Sequence, residues 1–323
     1  MIALARIADR GPFVAAGLAA VLLLMAVLFP ILMISGSTSG FLVLLAGMGC
    51  MFFLISSAAI VAFVALKHGE LSALKVVGGC LVMLIVTSMV LFGTSVFLPL
   101  IASIFWLPAI LSAMVLARSV KLDYAVLTIV ACGVATILGM TLITGDSTEF
   151  WRPHIAAALS DAMAALTEGD LGTGALSIEQ QEAFIDGMAR GMNGAIGSTV
   201  VSIALGALFL ARSWQAGLFN PGGFQKEFHA LSLGRNAALG CVLIVAIAIF
   251  LGGQLVGAIA MVVIFAFFVQ GLAVTHALVK QRGMHRYWLH GIYLLLLLPH
   301  TLLLLAALGL ADNSFSLRRS KNV

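Results

Sequence analysis

Few side chains in this sequence could do chemistry, and most of those that could are histidines. His300 follows Pro299 inside a leucine-rich run, where proline deletes a backbone hydrogen bond and frees the carbonyl four residues earlier. A histidine beside such a break could bind a ligand or relay a proton. It could equally hydrogen-bond a neighbouring helix and specify packing. His276 and His290 lie nearer the ends of their apolar runs, where interfacial positions are expected. Pro299, His300 and His276 form the candidate ligand-binding set.

The densest motif runs through Trp214 and Gln215, then Phe219, Asn220, Pro221, Gly222, Gly223 and Phe224, then Glu227, Phe228 and His229. Asn-Pro-Gly-Gly is a turn with a mechanism: proline presets φ at one position and glycine accepts φ > 0 at the next. The flanking aromatics suit the headgroup level of a bilayer. Two readings stay open. The segment is a structural elbow, or it docks a partner or anionic headgroups with help from Arg212, Lys226 and Arg235. Glu227 and His229 offer a carboxylate and an imidazole, but no nucleophile elbow, H-E-x-x-H pair or Walker loop accompanies them. The reading is therefore of a protein that is not an enzyme. Cys50, Cys80, Cys132 and Cys241 are widely spaced and match no metal or redox pattern, so neither a metal nor a cofactor is expected.

The elements that position these residues follow from composition. Of 323 residues 62% are hydrophobic and 9% charged, and mean hydropathy is +1.15. Soluble domains carry about a quarter charged residues, so lipid must be the solvent for much of the chain. A β-barrel would alternate apolar and polar residues over about 10 positions, whereas these runs are unbroken for about 20. The expected fold is an all-α polytopic bundle. The run 13–34 is too long for a signal-peptide core and is read as the first span.

Further spans are expected at 40–66, 72–92, 96–118, 122–143, 193–212, 236–251, 254–280 and 288–311. The seventh is short. If it is re-entrant, eight spans remain and the tail, with Arg318 and Arg319, changes sides. The chain thus divides into an N-terminal bundle (1–143), an amphipathic helical hairpin (144–192), a C-terminal bundle (193–311) with an elbow at 213–235, and a polar tail (312–323).

With the N-terminus inside, twelve of the 17 basic residues fall on the cytoplasmic side: Arg6, Arg10, Lys67, Lys75, Arg118, Lys121, Arg212, Lys226, Arg235, Lys280, Arg282 and Arg286. The 144–192 connection, with eight acidic and two basic residues, then lies outside. The formal charge of +4 and the pI near 9.0 are read as topology and not as a sign of nucleic acid. Within 144–192 two helices are expected, the second opened by a capping box from Ser177 to Gln180. No carboxylate or lysine falls near the middle of a span, which weighs against a proton pump or a carboxylate-coupled transporter. Ala15 with Ala19, and Ala16 with Ala20, make one face of the first span smooth enough for close helix approach, within the chain or from a partner.

Trp214, Gln215, residues 218–224, Glu227, Phe228, His229 and Leu231 resemble the YybS-like family of bacterial membrane proteins, whose function is unassigned. His276, Ala277 and Leu278, then Trp288, Gly291, Tyr293, Leu310 and Asp312, support the likeness. The resemblance implies remote similarity to the substrate-binding subunits of energy-coupling-factor transporters. In those subunits small residues on the first helix dock a coupling subunit, a role that Ala15, Ala16, Ala19 and Ala20 would fill. Function is accordingly expected to be that of an inner-membrane transport component that binds a small solute and draws energy from a protein partner. The alternative is a non-transporting scaffold that docks partners through the elbow and the hairpin.

Overall fold

The structure is a computed structural model that describes residues 2–34, 40–168, 177–285, 287–315 and 317–318. Its elements are helices: α1 (Ile2–Ala8), α2 (Pro12–Ile34), α3 (Gly40–His68), α4 (Glu70–Phe92), α5 (Phe97–Ser119), α6 (Leu122–Thr144), α7 (Ser147–Glu168), α8 (Ile178–Phe219), α9 (Gly223–Ala230), α10 (Arg235–Phe250), α11 (Gln254–Gln281), α12 (Tyr287–Leu295) and α13 (Pro299–Phe315). No strand occurs among the described residues. Seven helices, α2 to α6, α8 and α11, are long and apolar enough to cross a membrane; α9 with α10 and α12 with α13 pass the same test as pairs bent by 56° and 120°. Helices are the natural outcome for such runs, because in lipid each backbone group must find its partner within the segment.

The bundle has two distinct ends. At one, Lys67 and His68 pair with Asp9, and Arg118 pairs with Glu70. Arg212 pairs there with Glu227, and Gln215 donates to the Leu66 carbonyl at 3.3 Å. At the other, the Ser147 hydroxyl donates to the Ala189 carbonyl at 2.8 Å, and Gln254 donates to Thr148 at 2.9 Å. We call these the elbow end and the hairpin end.

Between the ends, small residues let helices approach closely. Ala15, Ala16, Ala19 and Ala20 are all buried. Ser57 donates to the Ala19 carbonyl at 2.8 Å, and the Cys80 thiol to the Ala16 carbonyl at 3.1 Å, so α3 and α4 cover the smooth face of α2. Of the two partners the sequence allowed for this face, the internal one is found. Trp106 donates its indole N–H to Ser57 at 3.1 Å, adding α5 to the same core. Where α6 meets α8, a Cβ on Gly197 would stand 3.3 Å from the Gly133 carbonyl oxygen and 2.5 Å from the Ile137 side chain.

Two expectations change. The sixth span and the second helix of the hairpin are one element, α8, which also carries Trp214 and Phe219 in its last turns. The expected capping box opens it: Ser177 N–H donates to Gln180 Oε1 at 2.9 Å, and Gln180 N–H to Ser177 Oγ at 3.2 Å. Gly169, Gly172 and Gly174, whose clustering between the two hairpin helices reads as a break, lie outside the described residues. The second change concerns the last span, which is not straight. Its helix tightens at 297–298, where Leu297 N–H bonds Leu294 O at 3.2 Å and Leu298 N–H bonds Leu295 O at 2.9 Å. Pro299 then opens α13. The carbonyl that proline leaves free, that of Leu295, is also taken by the Thr301 hydroxyl at 2.7 Å.

Because of this bend, both ends of the α12–α13 pair lie at the elbow end. α12 follows the end of α11, while Gln281 donates to the Arg318 carbonyl at 3.1 Å and Arg318 donates to the His229 carbonyl at 2.6 Å. The last run therefore turns back on itself, whereas α10 leads from the elbow end toward Gln254 at the hairpin end.

Candidate functional site

The expected ligand set does not assemble. His300 is exposed and has no hydrogen bond or ring contact with a described residue. It stands in the first turn of α13 because the chain breaks just before it, so it does not occupy the interior of a span. Pro299 supplies that break. His276 lies elsewhere, in a nest of rings made by Phe228 (5.6 Å between centroids), Tyr293 (5.9 Å) and His229 (6.4 Å). Its Nδ1 lies 2.9 Å from the Leu272 carbonyl, which can only accept, so Nδ1 carries the proton. Its Nε2 lies 3.2 Å from the Tyr293 hydroxyl oxygen.

The elbow residues are divided between core and surface. Trp214 is buried edge-on to Phe63, with 6.3 Å between centroids, and is not a headgroup anchor. Its position on the α3 side of α8 decides this. Phe219 is 55% exposed and lies under the Lys67 ammonium at 4.4 Å, a cation–π contact at the helix end. Asn220 caps α8, Pro221 follows it, and Gly222 takes a left-handed φ of 82°. A Cβ on Gly223 would meet Asn220 Nδ2 at 2.6 Å, so a larger residue there would require the Asn220 side chain to move. Phe224 and Phe228 turn inward onto Phe209 at 5.8 Å and 5.6 Å.

Glu227 and His229 do not meet, being two residues apart on a helix and therefore on different faces. Glu227 takes two hydrogen bonds from Arg212, one at 2.8 Å from Nε, while Arg212 Nη1 donates to Gln215 Oε1 at 2.6 Å. Arg212 is thereby committed to holding α9 against α8. Lys226 and Arg235, by contrast, are exposed and their side chains make no hydrogen bond or ion pair with a described residue.

The structure adds a polar network around the extended residues 231–234. Ser232 N–H donates to Asp123 Oδ1 at 3.0 Å and Leu233 N–H to Gln270 Oε1 at 2.9 Å, so two strand-like amides are satisfied by side chains from α6 and α11. Fully buried Gln270 also donates to the Gly309 carbonyl at 2.9 Å. The Ser232 hydroxyl donates to Asn313 Oδ1 at 3.1 Å. Asp312, 4% exposed, receives the Arg318 guanidinium, with Nε at 3.1 Å from Oδ2. Beside this network lies an open cavity of about 340 Å³ lined by His229, Ala230, Ser232, Gly234, Arg235, Asp312, Asn313 and Arg318.

Sequence reasoning passed over Asp123, Gln270, Asp312, Asn313 and Arg318 as working groups. Gln270 carried a usable signal: an amide within an apolar span must find partners or pay for their lack. A second cleft, of about 360 Å³ between α10 and α13, is apolar, lined by Cys241, Val245, Phe250 and Leu303 among others. No group of three or more His, Cys, Asp or Glu able to hold a metal occurs among the described residues.

Comparison of the chain with protein-family models, with curated proteins and with solved structures finds no match.

Proposed function

We propose that the chain is a multi-pass protein of a bacterial inner membrane, its elbow end in the cytoplasm. It binds a small solute in the elbow-end cavity, as the membrane component of a transport-type assembly that takes its energy from a partner protein. The observation that carries this reading is the 340 Å³ cavity itself, whose lining mixes guanidinium, imidazole, carboxylate, amide and hydroxyl groups. Its volume is within the range of small-molecule sites, about 300–1,000 Å³. The placement of the basic residues supports the orientation, since Lys67, Arg118 and Arg212 gather at the end where Arg235 and Arg318 line the cavity.

Purification of the full chain in native-lipid discs, followed by native mass spectrometry, tests the reading. One retained small molecule per chain is expected. Ala230→Trp, which fills the cavity from an exposed position without removing a side-chain hydrogen bond, should expel it. An empty cavity with a stoichiometric protein partner would instead support the scaffold reading and overturn this one.

A further inference from the structure

The cavity lining is asymmetric in charge, and the asymmetry names a ligand class. Asp312 is the one carboxylate on its wall, and it is neutralised by Arg318, whose remaining Nη1 is occupied by the His229 carbonyl. That pair is structural. Arg235, also on the lining, makes no hydrogen bond or ion pair through its guanidinium with a described residue. Asn313 uses one amide hydrogen on Gly309 and has a second to offer. Lys280 bears on His229 from the end of α11, adding positive potential. A planar fork with several free N–H groups beside an amide donor suits an oxyanion, and phosphate above others because its oxygens accept more than one such pair.

We infer that the cavity is a binding site for an organic phosphate held chiefly by Arg235, with Asn313 as second donor and the Arg318–Asp312 pair as its rigid wall. The inference rests on the proposed solute-binding role of the cavity and narrows it to one chemistry. Inorganic phosphate would leave most of 340 Å³ unfilled, so a phosphate bearing a small polar group fits better. Such a group arises from two sources, a free phosphomonoester or the headgroup of a membrane phospholipid.

The test uses the full chain in two kinds of disc. In phosphatidylcholine discs, glycerol 3-phosphate is titrated calorimetrically against glycerol and acetate as controls. In discs containing phosphatidylglycerol, retained lipid is counted by native mass spectrometry. Saturable glycerol 3-phosphate binding marks a free phosphomonoester; one retained phosphatidylglycerol per chain without it marks a headgroup. In either case Arg235→Ala should weaken binding on the order of ten-fold or more, and Arg235→Lys less, since a lysine keeps the charge without the fork. Arg235 is exposed, so neither variant removes a structural contact.

Equal binding of acetate and glycerol 3-phosphate, or phosphate binding unchanged by Arg235→Ala, overturns the assignment. A neutral solute expelled by Ala230→Trp but kept by Arg235→Ala also overturns it while leaving the cavity's general role standing. No ligand in the native chain removes both.

Discussion

The wall of the cavity formed by α13 depends on one helix crossing, and a single methyl group should open it. A Cβ added to Gly271 of α11 would stand 2.6 Å from the Leu305 carbonyl carbon, with the Leu305 oxygen closer still; one added to Gly309 of α13 would stand 2.9 Å from Gly271 N. These obstacles are backbone and cannot rotate away. Restoring ordinary contact in Gly271→Ala requires α11 and α13 to part by about 1.5 Å, an overpacking cost of about 1–3 kcal/mol. The same displacement stretches the bond from Gln270 to the Gly309 carbonyl, adding about 1 kcal/mol. Alanine's helix propensity returns up to about 1 kcal/mol, so a net loss near 2 kcal/mol is expected. Gly240→Ala in α10 is the control, because nothing lies within 4 Å of a Cβ there. Unfolding in mixed micelles of rising dodecyl sulfate fraction, followed by circular dichroism, reads the difference. Should Gly271→Ala unfold together with Gly240→Ala, the close crossing would be refuted, and with it the account of how the cavity wall is held.

Three other perturbations follow from the same contacts. Asp312→Ala leaves Arg318 largely buried without its counter-ion and should cost about 3 kcal/mol in the same unfolding assay, with Asp312→Ala/Arg318→Ala recovering much of the loss. Asp9, between α1 and α2, is held below its ordinary pKa of 3.8 chiefly by its hydrogen bond from Lys67. A depressed folded pKa adds stability above pH 3.8 that fades as pH falls through the lower folded value. The contribution is under about 1 kcal/mol at this partial exposure, and thermal unfolding of Asp9→Asn from about pH 6 to about pH 3 should show a shallower acid limb than the native chain. Asn193→Ala at the hairpin end orphans the Trp151 indole N–H, now bonded to Asn193 Oδ1 at 2.9 Å, and should cost about 1–2 kcal/mol. Faster hydrogen exchange in α7 than in α5 would report it.

Much of the architecture was legible from the sequence because lipid imposes a simple rule on long apolar runs. Helix positions, the capping box at Ser177, the turn at Asn220–Gly223 and the buried small face of α2 all follow from local patterns. Three things were not local. The reversal at Pro299 depends on α13 finding Gly271 to pack against, which no window of sequence records. Trp214 looked like an interfacial anchor because its motif is aromatic, but its direction is set by which side of α8 faces Phe63. The cavity joins residues 229–235 to residues 312–318, and that pairing depends on the reversal. Histidine at an apolar site drew attention to His300, while the side chains that organise the site, Gln270 and Asp312, lay unmarked because each is satisfied by partners distant in the chain.

The polar network sits where membrane physics allows it. An amide deep in hydrocarbon is tolerable only when both of its functions are used, and Gln270 meets that condition by accepting from Leu233 N–H and donating to the Gly309 carbonyl. One side chain therefore ties α11 to the extended 231–234 segment and to α13. The segment, in turn, has spent Ser232 N–H on Asp123 of α6. Gln270 accepts from Leu233 N–H and shares the Gly309 carbonyl with Asn313, so sliding α13 along α11 would cost that carbonyl one of its donors. These bonds fix the α13 side of the cavity, and Arg235 also lines it, its guanidinium making no hydrogen bond with a described residue. On the proposed phosphate-binding reading, an α13 side ordered in folding would spare the ligand that ordering cost and let one exposed guanidinium suffice.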